Sequence, residues 1–251
     1  MESAELALLA VGGFLAGVIN TLAGGGSLIT VGLLVFLGLP GTIANGTNRI
    51  GVLVHNLTAA WRFRAEGISG FASAGPILAP ILVGSLVGAY AISRVSPEFF
   101  ERLFGVLMLA LVIPLLRPRR ATDRTALPLR GDSSWSPLTR SLVFLGIGLY
   151  GGAIQAGIGI FLVMALSRAG YDLVRANSIK VVVIAALTAI AIPVFIASRQ
   201  VDWLAAGALA TGFVAGGVAG VRVAVLGGES VIRAALGLSV AALAGRMLGL
   251  L

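Results

Sequence analysis

The sequence predicts an all-α polytopic membrane protein with about ten transmembrane segments, two of them short or re-entrant, in two inverted repeats of five. Three observations support this fold class. The chain of 251 residues is 58% hydrophobic and only 11% charged, whereas ordinary globular domains carry about 25% charged residues. Apolar segments close to the roughly 20 residues of a membrane-spanning helix follow one another along almost the whole chain. Features of the first half also recur, in the same order, in the second half.

The first repeat, residues 1–116, contains five apolar segments. They cover residues 5–22, 26–39, 45–62, 70–93 and 98–116. We do not expect the first to be a removable signal, because Glu2 and Glu5 stand where a secretory signal has basic residues. The second is short for a full span, and three consecutive glycines precede it.

The second repeat, residues 140–251, has a matching set. Its segments cover residues 140–155, 157–168, 176–198, 201–225 and 230–250. The seventh segment of the chain, like the second, is short and begins at glycine. Between the repeats, residues 117–139 form a basic, proline-containing linker that we expect to be solvated and cytoplasmic.

The distribution of arginines predicts the topology, because cytoplasmic loops of membrane proteins are enriched in Lys and Arg. If all ten segments cross, one side of the membrane receives twelve loop arginines and the other receives four. This bias places the linker inside and both termini outside a bacterial cytoplasmic membrane. It also explains the net charge of +8 better than nucleic-acid binding does.

The internal repeat emerges when the chain is compared with itself at a shift of about 130 residues. The sequence A-G-G-G-S-L-I-T-V then aligns with Q-A-G-I-G-I-F-L-V, and Thr47-Asn48-Arg49 falls near Asn177-Ser178 and Lys180. An odd number of segments per repeat makes the two copies point in opposite directions. Short, glycine-interrupted segments at matching positions of inverted repeats indicate the binding site of a secondary transporter.

The glycines of the two breaks are candidate anion ligands. Glycine permits positive φ and exposes backbone N–H groups, so a helix that begins at a break can direct its positive end toward an anion. A simple turn between two helices is the alternative. The candidates at the breaks are Gly24, Gly25, Gly26, Ser27, Gly157 and Gly159.

Two cations occupy equivalent positions in the repeats. Arg49 and Lys180 each lie near the start of a long apolar segment, and acidic residues lie only near the ends of segments, so neither cation has an obvious carboxylate partner. Cations at membrane depth usually face a cavity or a partner. Contact with the substrate and snorkelling to the membrane surface are the two interpretations.

Neutral polar residues near the breaks are further candidates for substrate binding, with helix-to-helix hydrogen bonding as the alternative. His55 is a candidate for proton coupling, although a lone buried histidine is more often bonded to a neighbour. The neutral candidates are Thr47, Asn48, Gln155, Asn177 and Ser178.

Several kinds of site are excluded. The chain has no cysteine and one histidine, so disulfides, thiol chemistry and a zinc or di-iron site held by the protein alone are not expected. We find no catalytic constellation and predict that the chain is not an enzyme and needs no cofactor. The expected partners are a small anion and membrane lipids. A homodimer is an alternative to a monomer.

Two motifs resemble a known family. A-G-G-G-S-L-I-T-V-G-L-L-V-F-L-G-L-P with A-N-G-T-N-R-I-G-V-L-V, and Y-G-G-A-I-Q-A-G-I-G-I-F-L with L-V-R-A-N-S-I-K-V, are similar to the first-half and second-half motifs of the TauE/SafE family of membrane transporters. The resemblance covers nearly the whole chain. It implies secondary transport of small sulfur-containing anions such as sulfite, sulfoacetate or other organosulfonates. An anion channel, or a permease for another small carboxylate or oxyanion, is the alternative.

Overall fold

The computed structural model describes residues 1–22, 24–68, 70–116, 135–171 and 173–226, and these ranges are helical with no β-strand. Nine helices lie in them: α1 (Ser3–Leu22), α2 (Gly26–Phe36), α3 (Gly41–Ala65), α4 (Phe71–Ile92), α5 (Pro97–Leu116), α6 (Pro137–Ala153), α7 (Ile158–Arg168), α8 (Leu173–Ala197) and α9 (Trp203–Leu226). The predicted tenth segment, 230–250, and most of the predicted linker, 117–134, lie outside the described residues.

The nine helices match nine of the ten predicted segments, with small differences at the ends. The largest difference is at α3, which begins at Gly41 rather than at residue 45 because Pro40 stands directly before it as N-cap. The N–H of Gly41 donates to Oε1 of Glu101 from α5 at 2.9 Å. A carboxylate at a helix N-terminus satisfies a free donor and is favoured by the helix dipole.

Helix lengths repeat along the chain. The short helices α2 and α7 each have 11 residues, and the following helices α3 and α8 each have 25. At about 1.5 Å per residue, an 11-residue helix covers roughly half of a hydrocarbon core of about 30 Å. The prediction of two short segments, one in each half, is therefore confirmed.

Helices of the two halves pair reciprocally, α1 with α9 and α4 with α6. Glycines allow close contact in both pairs: a Cβ on Gly13 would meet Leu209 of α9, and one on Gly88 would meet Leu149 of α6. The equivalent helices α3 and α8 run in opposite directions. Gly46 near the start of α3 abuts Phe195 near the end of α8, while Gly70, just after α3, abuts Ser178 near the start of α8.

The surface of the molecule is apolar and its interior contains charge. Val83, Val87 and Leu142 are more than half exposed, whereas Arg49 and Lys180 are buried. This inverts the usual distribution in water and fits a lipid environment. Four helical stretches in the described part are long and apolar enough to cross a membrane: Ser3–Thr21, Phe71–Ile92, Arg175–Ala197 and Trp203–Gly220.

Candidate functional site

The first break separates α1 from α2. Gly24 has φ +76°, and its N–H donates to the carbonyl oxygen of Asn20 at 3.1 Å, which ends α1. Gly25 is the N-cap of α2, and Gly26 and Ser27 form its buried first turn. Only glycine adopts the conformation of Gly24 without strain, so the predicted glycine break is a real interruption of the helix.

The second break separates α6 from α7 and is built differently. Gly157, the N-cap of α7, is left-handed with φ 72°, but Gln155 is also left-handed, with φ 65°. A non-glycine residue in this region is uncommon and needs support from its surroundings. The side chain of Gln155 supplies part of that support, since its Nε2 donates to the hydroxyl of Thr188 on α8.

The two breaks touch each other. A Cβ on Gly24 would lie 2.9 Å from the Cα of Gly159, and one on Gly159 would lie 2.9 Å from the Cα of Gly24. The residue before the N-cap of α2 therefore meets the first turn of α7. A helix N-terminus carries the positive end of the helix dipole. Some N–H groups at these helix starts already donate to backbone carbonyl oxygens: those of Leu28, Ile158 and Ile160 donate to Gly25, Gln155 and Gly157, respectively.

Arg49 reaches from α3 to the C-terminal end of α6. Its Nη1 donates to the carbonyl oxygen of Gly151 at 3.2 Å, and its Nη2 donates to those of Gly152 and Ala153. The guanidinium carbon also lies 4.3 Å from the ring centre of Phe195 on α8. Arg49 thus caps the helix that ends at the second break, where unpaired carbonyls and the negative end of the dipole favour a cation.

Lys180 reaches in the reciprocal direction, from α8 to the end of α1. Its Nζ lies 3.5 Å from the carbonyl oxygen of Asn20, and its Cδ lies 3.3 Å from the position that a Cβ on Gly159 would take. The side chain is 3% exposed. Neither Lys180 nor Arg49 has a carboxylate partner among the described residues.

Asn48 lies on α3 beside Arg49 and faces α2, where its Oδ1 accepts a hydrogen bond from Thr30. Asn45, one turn before Arg49, donates from Nδ2 to the carbonyl oxygen of Ala153 at 2.8 Å. Within the part of the chain that the structure describes, Nδ2 of Asn48, Oδ1 of Asn45, Nε of Arg49 and Oε1 of Gln155 are buried without a hydrogen-bond partner. Buried polar atoms without partners are rare, and a bound ligand is one way to satisfy them.

Three other residues that the sequence predicted to bind substrate do not contact the two breaks in the same way. The hydroxyl of Thr47 accepts the N–H of Asp202 at 2.9 Å, just before α9, and the hydroxyl of Ser178 donates to the carbonyl oxygen of Ile68 at 3.2 Å, between α3 and α4. These two contacts join equivalent helices to equivalent loops. Asn177 is half-buried on α8.

His55 lies four turns into α3, against α9. Its Nδ1 is 3.4 Å from the carbonyl oxygen of Phe213, and its Nε2 has no partner in the described ranges. A Cβ on Gly217 would lie 2.9 Å from Nδ1, so the ring rests directly on that glycine. The side chain is buried.

Sequence reasoning missed Thr30, Asn45, Thr188 and Phe195 as neighbours of the breaks. Asn45 could have been found, because it precedes Arg49 by four residues and therefore shares its helix face. Thr188 follows Lys180 by eight residues and shares its face in the same way. Phe195 carries no polar atom, and nothing in its local sequence indicates that it covers Arg49.

Comparisons with known proteins agree with this description. Residues 9–247 match the family described as Sulfite exporter TauE/SafE. A probable membrane transporter protein of Haemophilus influenzae is 26% identical over 229 residues, covering 91% of this chain and 88% of the relative. The probable membrane transporter protein YfcA of Escherichia coli K12 is 24% identical over 222 residues, covering 87% of this chain and 80% of the relative.

No solved structure matches the chain. The family match, however, extends over almost its whole length and includes both breaks. The relatives carry the names of transporters, in keeping with a surface that is apolar around a charged interior. The chain therefore belongs to the TauE/SafE family of membrane transporters.

Proposed function

We propose that the protein is a secondary transporter that moves small sulfur-containing anions, such as sulfite, sulfoacetate or other organosulfonates, across a bacterial cytoplasmic membrane by alternating access. The observation that carries the proposal is the contact between Gly24 and Gly159. It brings the starts of α2 and α7 together beside the stem of Lys180, and neither Lys180 nor Arg49 has a carboxylate partner among the described residues.

The anionic nature of the substrate follows from this charge balance. Two buried cations and two positive helix ends are costly inside a membrane unless negative charge accompanies them. A small oxyanion would supply that charge and accept hydrogen bonds from backbone N–H groups. The unpaired Nδ2 of Asn48 is one further donor beside the breaks.

Alternating access is supported by the relation between the halves. The matched helices α3 and α8 run in opposite directions. Each half contains one break, and the cation of each half reaches the helix end at the break of the other: Arg49 reaches the end of α6, and Lys180 reaches the end of α1. In transporters built from inverted repeats, the site lies at the repeat interface, and one repeat moves against the other to expose it to each side in turn. The proposal therefore retains ten segments in two inverted repeats of five, with a cytoplasmic linker and external termini.

We assign proton coupling to His55 as part of the same proposal. The ring is buried on α3 against α9, and its Nε2 has no hydrogen-bond partner among the described residues. Negative charge that enters the interior of the protein would favour a proton on a buried imidazole. The imidazole is the side chain best suited to take up and release a proton near neutral pH.

Reconstituted protein tests the proposal. Purified wild-type protein in liposomes should take up labelled sulfite or sulfoacetate with saturation at low millimolar or lower concentration. An imposed proton gradient should drive accumulation. The proposal fails if neither anion is transported or bound, and a conductance without saturation or coupling would instead identify an anion channel.

The variant His55→Gln separates coupling from binding. It should lose accumulation driven by a proton gradient but retain exchange of labelled for unlabelled anion, which needs no net proton movement. Trp61→Phe is a suitable control, because Trp61 is 65% exposed on the outer surface of the same helix. Unchanged gradient-driven uptake in His55→Gln would exclude the coupling role.

A further inference from the structure

The two buried cations occupy equivalent positions, but their surroundings differ. Arg49 donates three hydrogen bonds to the carbonyls of Gly151, Gly152 and Ala153, and the ring of Phe195 lies against its guanidinium group. The negative end of the α6 dipole thus offsets part of the positive charge of Arg49. Three of its five N–H donors are used, and among the described residues Nε is buried without a partner.

Lys180 has no comparable set of partners among the described residues. Its contact with the carbonyl oxygen of Asn20 is 3.5 Å long, and an ammonium group has three donors. Lys180 is 3% exposed, so its ammonium group is shielded from bulk water. Its stem lies against Gly159, at the point where this glycine meets Gly24.

From this asymmetry we propose that the two cations have separate roles: Lys180 binds the anion at the contact between the two breaks, whereas Arg49 positions the end of α6 and does not bind the anion. This inference rests on the proposed function and specifies the site. A small oxyanion at this point would meet the spare donors of Lys180 and the positive ends of α2 and α7. Arg49 would influence transport only by holding the second break in place.

Glycine at positions 24 and 159 fits this arrangement. With hydrogen in place of a side chain, the two backbones approach closely and leave the stem of Lys180 against Gly159. The long flexible stem of lysine allows Nζ to move toward an arriving anion, because the described residues give it a single hydrogen bond, of 3.5 Å. The planar guanidinium of Arg49 is fixed on three sides and has no such freedom.

Paired substitutions in reconstituted protein test the division of roles. The assay measures half-saturation and maximal rate for sulfite, sulfoacetate and acetate, normalised to the amount of folded protein. Lys180→Gln should raise the half-saturation concentration about tenfold or more, since a charge-assisted hydrogen bond is lost. Lys180→Arg keeps the charge and should stay within about threefold of wild type.

Arg49→Gln should lower the yield and melting temperature of the protein but leave half-saturation of the folded fraction within about threefold of wild type, because no anion contact is removed. If Arg49→Gln does not fold, Arg49→Lys provides the same comparison. A tenfold rise in half-saturation for either Arg49 variant, or an unchanged value in Lys180→Gln, would overturn the inference. Transport of acetate alone would refute the proposed substrate class, but half-saturation of the Lys180 and Arg49 variants could still be compared with acetate. Binding of none of the three anions would refute both the proposed function and the division of roles.

Discussion

Gly24 and Gly159 lie in van der Waals contact, each glycine occupying the space that a Cβ on the other would need. This contact joins the two breaks, and hence the two halves of the protein, through backbone alone. It is possible because both residues lack a side chain. The remaining features of the site, including the two helix N-termini and the stem of Lys180, are arranged around it.

Alanine at these positions should destabilise the protein. Gly24→Ala places a side chain at φ +76° and about 2.9 Å from Gly159, and the left-handed backbone alone costs about 1–2 kcal/mol. Gly159→Ala creates the same clash without the backbone strain. Melting temperature in detergent should fall for both variants, with the larger decrease for Gly24→Ala.

The neighbouring Gly25 provides the control for that experiment. Its φ is −107°, and the nearest atom to an added Cβ is Cδ1 of Leu28 at 3.6 Å, an ordinary contact. Gly25→Ala should therefore leave the melting temperature close to the wild-type value. If Gly24→Ala and Gly25→Ala lowered the melting temperature equally, the break would be sensitive to any added side chain, and the contact between Gly24 and Gly159 would not be the cause.

Glu101 should stabilise α3 through its hydrogen bond to the N–H of Gly41. Glu101→Ala removes the acceptor and should lower the free energy of unfolding by about 0.5–2 kcal/mol, the usual cost of a lost N-terminal cap. Glu101→Gln retains an acceptor and should have a smaller effect. Chemical unfolding in mixed micelles measures the difference.

Glu98 lies one turn earlier on α5 and is the matched control for this prediction. The side chain of Glu98 is exposed and lies in the first turn of α5, where its charge favours the start of its own helix. Glu98→Ala should therefore lower the free energy of unfolding slightly, and by less than Glu101→Ala does. If Glu98→Ala and Glu101→Ala lowered the free energy of unfolding equally, the effect would come from removing negative charge from α5 and not from losing the cap on α3.

The contact between Arg49 and Phe195 should contribute to stability independently of the carbonyl caps. Because the guanidinium carbon lies 4.3 Å from the ring centre, the pair should show a coupling energy of about 0.5–2 kcal/mol. A double-mutant cycle with Arg49→Met and Phe195→Leu measures it through unfolding in mixed micelles. Additive effects of the two substitutions would show that the ring merely fills space.

The sequence predicted the helices and the two breaks well because these depend on local residues. Apolar runs of spanning length mark helices, and the glycines at positions 24 to 26 and at 157 interrupt them. Helices α2 and α7 begin at equivalent positions of the repeat, as the alignment of the two glycine motifs predicted. Position 155 was harder to interpret, because nothing local indicates that a glutamine takes a left-handed conformation supported by Thr188.

The partners of the cations could not be predicted from sequence. Arg49 bonds to backbone carbonyls at Gly151, Gly152 and Ala153, and every residue has such a carbonyl. The separation of Thr47 from Asn48 has a related cause. Adjacent helical residues point about 100° apart, so Thr47 meets the start of α9 while Asn48 faces α2.

The close contact between α1 and α9 yields a last prediction with a neighbouring control. A Cβ on Gly13 would lie 2.5 Å from the backbone oxygen of Leu209, and backbone cannot move aside without separating the helices. Gly13→Ala should therefore cost about 1–3 kcal/mol, the usual penalty for overpacking. At Gly12 the atom met is Cδ2 of Leu33, the end of a flexible side chain, so Gly12→Ala should cost less. Melting temperatures of the two variants decide the point, and an equal or larger decrease for Gly12→Ala would contradict the assigned helix contact.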